Sequence, residues 1–227
     1  MKYIIFFLFI SSLYSCQEKK IDRGNKCEQL RLKASLYLDK GLPDAQDTKL
    51  DSAIYYSELA YQCDSTNVDI LETRLSAYSQ NRMYKEALET VNKLSSINKL
   101  DNSKEAYAFL KVGYFMALDE KGYQDSIKSY YNYVSKKFDE HKDEKNFRSK
   151  YPVYFEPKVL LEYYFKGKES ALAILNKFPS EYKLDELNDL IRITNTPPKN
   201  MILNYLYIKD TIRQTFFLLR KSFNYCK

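Results

Sequence analysis

The sequence predicts an all-α protein built of antiparallel helical hairpins, and three observations carry that prediction. Glycine is scarce and scattered, with five in 227 residues and six prolines, which argues against a turn-rich β-sandwich. Lys, Glu, Leu, Tyr, Ser and Asn dominate, a composition that favours helices. Apolar residues recur at i, i+4 and i+7 in paired runs separated by short polar breaks, the periodicity of amphipathic helices. Such hairpins cannot bury their apolar faces alone, so they are expected to stack into an array.

The chain opens with Met1-Lys2, an apolar run from Ile4 to Leu13, and Ser15 before Cys16. The run falls short of the roughly 20 residues a membrane span needs and has the layout of a secretory signal. Its end, Leu13-Tyr14-Ser15-Cys16, resembles the lipobox of bacterial lipoproteins. That resemblance implies cleavage after residue 15, acylation of Cys16, and a mature chain hung from an envelope membrane. Gln17 stands where Asp would mark inner-membrane retention, so the outer membrane is expected. Residues 16–26 read as a polar tether, residues 27–196 as the helical domain, and residues 197–227 as a closing helix.

The helices follow in order. Leu30, Ala34, Tyr37 and Leu38 share one face of a first helix, and Gly41-Leu42-Pro43-Asp44 breaks it. Asp51-Ser52 is placed to cap a second helix carrying Ala53, Ser57 and Ala60. Leu71, Leu75 and Tyr78 form the next stripe, Gln80-Asn81-Arg82 the break, and Tyr84, Ala87, Leu88, Val91 and Leu94 the stripe after it. Residues 103–136 read as a third pair turning at Gly122-Tyr123, and the charged stretch Lys136 to Lys150 as a solvated helix end or linker. Tyr151 to Pro157 reads as an aromatic, proline-bounded connection. Residues 158–178 and Ser180 to Thr194 read as helices, Pro197-Pro198 as a stop, and Asn200 to Phe223 as the last helix.

Four stretches repeat a small residue followed by a branched aliphatic one: Ala53-Ile54, Ala87-Leu88, Ser126-Ile127 and Ala171-Leu172. The first two stand one tetratricopeptide period, about 34 residues, apart, and later spacings are longer. With the helix–turn–helix pattern of residues 68–100, this resembles a degenerate tetratricopeptide-repeat protein. The resemblance implies a solenoid of stacked hairpins with a C-terminal capping helix. It also implies a concave groove lined by Asp69, Glu72, Ser76 and Gln80. Those positions are acidic and polar; the basic and asparagine clamp that some members use for peptide carboxylates is absent.

Little in the sequence points to catalysis. Scattered glycines exclude a glycine-rich phosphate loop. The single histidine, His141, sits in a charge run and is expected to be exposed, and one histidine excludes a histidine-rich zinc site. No catalytic residue, metal or cofactor is expected. Cys27 and Cys63 fall at the outer ends of the first hairpin, which folds back near residue 45, and export brings an oxidising compartment; they are the disulfide candidates. The net charge of +6 is concentrated in residues 197–227, a poor footprint for nucleic acid, which needs a broad basic face. Tyr205, Ile208, Ile212, Phe216, Leu219 and Phe223 form a stripe there, flanked by Lys209, Arg213 and Arg220. That helix is either a cap or a membrane-surface helix. The tyrosines, 22 in all, are expected to pack between hairpins rather than to form a recognition surface. The expected function is a lipid-anchored envelope adaptor that binds partner proteins or peptides. The alternatives are an enzyme using a carboxylate pair in a groove, and a surface lipoprotein that neutralises a toxin or recognises a ligand.

Overall fold

A computed structural model describes residues 23–40, 48–97, 101–179, 197–203 and 205–206, together with Leu187 and Ile191. All regular structure among the described residues is helical, without strands. The helices are α1 (Arg23–Lys40), α2 (Thr48–Cys63), α3 (Val68–Gln80), α4 (Tyr84–Ile97), α5 (Asp101–Leu118), α6 (Gln124–His141), the single turn α7 (Phe147–Lys150), α8 (Pro152–Lys166) and α9 (Lys168–Lys177). A short 3₁₀ turn, Lys121–Tyr123, joins α5 to α6. Neighbouring helices pack on one another from α1 through to α6; α1 also reaches α3, and α8 packs on α5, α6, α7 and α9.

The first hairpin closes as its small residues dictate. Ala34 on α1 and Ala53 and Ala60 on α2 have no exposed surface, so the backbones approach closely. Cys27 and Cys63 are joined by a disulfide with Cα atoms 5.5 Å apart. Arg31 is buried, and its guanidinium meets Glu28 with two parallel hydrogen bonds of 2.8 and 2.7 Å. A buried cation requires such a partner. Helix α2 starts at Thr48, so Asp51 lies inside the first turn rather than at its cap. There it still complements the positive end of the helix.

Helices α3 and α4 carry the predicted stripes. Leu71, Leu75, Tyr78, Ala87, Val91 and Leu94 form one core with Tyr107 and Tyr114 of α5. Asn67 caps α3, its Oδ1 accepting from the amides of Asp69 (2.9 Å) and Ile70 (3.2 Å), a contribution of about 1 kcal/mol. The helix ends with Arg82 at φ 58°. The Met83 amide returns to the Tyr78 carbonyl (2.9 Å) and that of Arg82 to Ser79 (3.1 Å). This is a Schellman ending with arginine at the left-handed position that glycine usually holds.

The second half departs from the sequence pattern. Of the four repeated small residues, Ala53, Ala87 and Ala171 are buried, but Ser126 is exposed and Ile127 is buried instead. The repeat therefore slips by one residue in α6. Residues 136–150 are not simply a solvated linker. Phe138 and Phe147 plunge from that stretch into the core, their rings 5.1 Å apart and edge to face. The segment Tyr151 to Pro157 is helical rather than a connection. Pro152 takes the first helical position, where its missing N–H is not needed. Pro157 sits in the second turn and forgoes only the bond to Val153. The expected single helix over residues 158–178 breaks at Gly167, whose φ of 89° only glycine adopts readily. The backbone turns there from α8 into α9.

Near the C-terminus, residues 198–203 and 205–206 are helical, and Met201, Ile202, Tyr205 and Leu206 join the core of α5, α6, α8 and α9. Leu206 seats directly on Gly113 of α5, where a Cβ would collide with the leucine methyl. Cys16, residues 1–22, and the basic stripe of Lys209, Arg213, Phe216 and Arg220 lie outside the described residues.

Candidate functional site

The row expected to line a groove runs along α3. Asp69 is half-buried in the first turn, and its carbonyl accepts from the Thr73 hydroxyl (2.9 Å). Glu72 accepts from the Tyr107 hydroxyl of α5 at 2.8 Å. Ser76 is 3% exposed, so it is covered rather than open to a ligand. Gln80 keeps a buried Oε1 without a hydrogen-bond partner. One turn away, Ser79 and Tyr114 share a hydrogen bond of 2.6 Å. Two tyrosines of α5 thus reach across and take the polar edge of α3. The row is covered at Ser76, while Asp69, Glu72 and Gln80 stay partly exposed.

A second polar group joins α2, α3 and α4. The Arg74 guanidinium lies between the rings of Tyr61 (4.2 Å) and Tyr78 (4.9 Å). It pairs with Glu58 and donates to the Thr90 hydroxyl at 2.8 Å. Tyr78 donates to the same Glu58 carboxylate at 2.6 Å. Burial opposes the Arg74 charge, but Glu58 outweighs it and raises the arginine pKa. Burial and the Glu58 bond push the Tyr78 phenol up to about 12. Lys93 closes the group from α4, 4.7 Å over Tyr61 and 2.9 Å from its hydroxyl.

Among the described residues the most enclosed carboxylate is Glu162 on α8, 4% exposed. Its Oε2 accepts from Tyr131 and Lys158, both at 2.7 Å. Its Oε1 accepts from Ser170 at 2.8 Å and pairs with Lys166 at 2.9 Å. Lys158 also donates to Ser135 at 3.0 Å. Four donors from α6, α8 and α9 converge on one anion. Burial pushes the Glu162 carboxyl up, yet the four donors hold it at about 2. The i, i+4 spacing of Lys158, Glu162 and Lys166 is visible in the sequence; the contributions of Tyr131 and Ser170 are not.

His141 is a correction. Rather than exposed, its ring is half-buried and stacked on Tyr151, with centroids 4.3 Å apart. Its Nδ1 lies 2.7 Å from Glu144. Hydrogen bonds from Lys150 and then His141 hold the Glu144 carboxyl at about 2. Lys137 likewise lowers Glu140. Among the described residues, the carboxyls of Glu140, Glu144 and Glu162 are all held down by neighbouring cations.

No group of three or more His, Cys, Asp or Glu among the described residues is placed to hold a metal ion. No helix among them is long and apolar enough to cross a membrane. The chain has no match among protein families, curated proteins or solved structures.

Proposed function

We propose that the chain is a lipid-anchored, non-catalytic adaptor of a bacterial envelope, holding partner proteins or peptides at the membrane through a helical-repeat surface. The observation that carries this reading is the cationic start, short apolar run and Ser15-Cys16 junction of the first sixteen residues. They resemble a lipoprotein signal and supply the anchor. The helical body supports the adaptor role. Enclosed ionic groups such as Glu162 and Arg74 are satisfied by neighbouring side chains, which suits a rigid support for contact.

The body is read as a degenerate tetratricopeptide-like solenoid. Successive helices packing on one another, with α1 also meeting α3, support that reading. So do the buried Ala53, Ala87 and Ala171 at matching points of three hairpins. The partner surface is assigned to the flanks of the α3 row, Asp69 and Gln80, rather than to its covered centre at Ser76. Residues 197–227 are read as the closing helix of the array, and the outer membrane as the site of attachment.

Cross-linking on intact cells, followed by capture from membranes, tests the adaptor role. The same protein partners should be recovered with the natural chain and lost with Cys16→Ala. Recovery of no protein partner from membranes, or an unchanged set with the Cys16 variant, contradicts it.

A further inference from the structure

Three of the five large apolar side chains exposed among the described residues lie on the first hairpin: Leu32, Leu36 and Tyr55, at 39%, 50% and 60%. Leu32 and Leu36 stand one turn apart on α1, opposite its buried stripe of Cys27, Arg31, Ala34 and Leu38. Tyr55 stands opposite Ala53, Ser57 and Ala60 on α2. Aromatic contacts join the two helices. Tyr55 meets Tyr56 edge to face at 5.2 Å, Tyr56 stacks on Tyr37 at 5.5 Å, and the Lys33 ammonium lies 5.4 Å over Tyr56. Single exposed apolar residues are ordinary. A strip of three beside linked tyrosines on the first described hairpin is not, because end elements of stacked helical arrays present polar outer faces.

The length of chain between Cys16 and α1 bears on what can cover the strip. Residues 16–22 separate Cys16 from the start of α1, and seven residues span at most about 25 Å. Leu36 lies about 20 Å along the helix axis from Arg23. With acyl chains on Cys16, the full length of α1 stays within reach of the bilayer surface. We infer that this strip is the membrane-resting face of the protein. Leu32 and Leu36 enter the boundary between headgroups and acyl chains, Tyr55 lies at headgroup depth, and Lys33 meets lipid phosphate. The inference rests on the lipid anchor proposed at Cys16.

The chain has no tryptophan, so Leu36→Trp provides a single reporter at a half-exposed position. Lys128→Trp, on an exposed site of α6, is the control. Each full-length chain is purified from membranes, its mass is measured, and it is reconstituted in phosphatidylethanolamine–phosphatidylglycerol vesicles with brominated acyl chains. The expected result is about a twofold or greater loss of emission for Leu36→Trp and almost none for Lys128→Trp. An acylated chain whose Leu36→Trp is unquenched overturns the inference and leaves the anchor standing, and so does burial of the reporter between two copies. A mass without acyl groups removes the anchor and the inference together. Should Leu36→Trp lose helicity, Tyr55→Trp carries the same expectation.

Discussion

Replacing Glu162 with glutamine should be among the more damaging conservative changes to this fold. Four donors converge on the carboxylate. An amide offers one acceptor oxygen and presents an NH₂ group to the rest. Lys158, whose side chain is 11% exposed, then keeps its charge without its anion. The folded pKa of about 2, against the ordinary 4.5, corresponds to about 3.5 kcal/mol of stabilisation at about 1.4 kcal/mol per pH unit. Breaking a buried pair from one side costs about 3–5 kcal/mol. A loss of about 3–4 kcal/mol is expected at neutral pH.

The loss should also depend on pH in a set direction. The carboxyl is depressed in the fold, so its contribution is complete above pH ~4.5 and disappears as pH falls through ~2. Glu140 and Glu144 titrate in the same acid range but are common to both chains, so they cancel in the difference. Urea unfolding followed by far-UV circular dichroism, from neutral pH down to pH ~2, measures it. The two chains should converge at the acid end. A neutral-pH difference below about 1 kcal/mol, or one that persists unchanged at pH ~2, would refute the network as an electrostatic support.

Three further expectations concern the scaffold. Gly113→Ala should destabilise by about 1–3 kcal/mol through collision with Leu206. In a Leu206→Ala background the same change should instead stabilise by up to about 1 kcal/mol; a double-mutant cycle by urea unfolding reads the coupling, and additivity would dissociate the two residues. Replacing Cys27 and Cys63 with serine should lower stability by about 4 kcal/mol, from the loop closed by a separation of 36 residues. Equal midpoints for the natural and double-serine chains under non-reducing conditions would contradict it. Arg82→Gly should raise the melting temperature, gaining up to about 1 kcal/mol by relieving the left-handed strain at φ 58°; a lower melting temperature would show that the arginine side chain matters more than its backbone.

The first half of the fold was legible because its apolar spacing is regular and its breaks are polar. Leu71, Leu75, Tyr78, Ala87, Val91 and Leu94 are read from period alone and meet in one core. The second half hides behind composition. Phe138 and Phe147 each sit among charges, so no stripe marks them, yet both are core residues. Pro152 and Pro157 look like loop punctuation, and only their place in the first two turns makes them compatible with a helix. Gly167 breaks an apolar run that periodicity alone would continue, because the turn depends on φ and not on hydropathy.

The polar groups were legible in part. Spacing reveals Lys158, Glu162 and Lys166, but Tyr131 and Ser170 join them only through tertiary packing. For the α3 row, the resemblance to tetratricopeptide repeats named Asp69, Glu72, Ser76 and Gln80 as one edge. It could not show that Tyr107 of α5 would reach that edge.

The anchor proposed at Cys16 is tested by the mass of the mature chain isolated from membranes. The expected chain begins at Cys16 and is heavier than its amino acids by acyl groups that alkaline hydrolysis partly removes. A chain that retains residues 1–15, or one cut elsewhere with an unmodified Cys16, would contradict it.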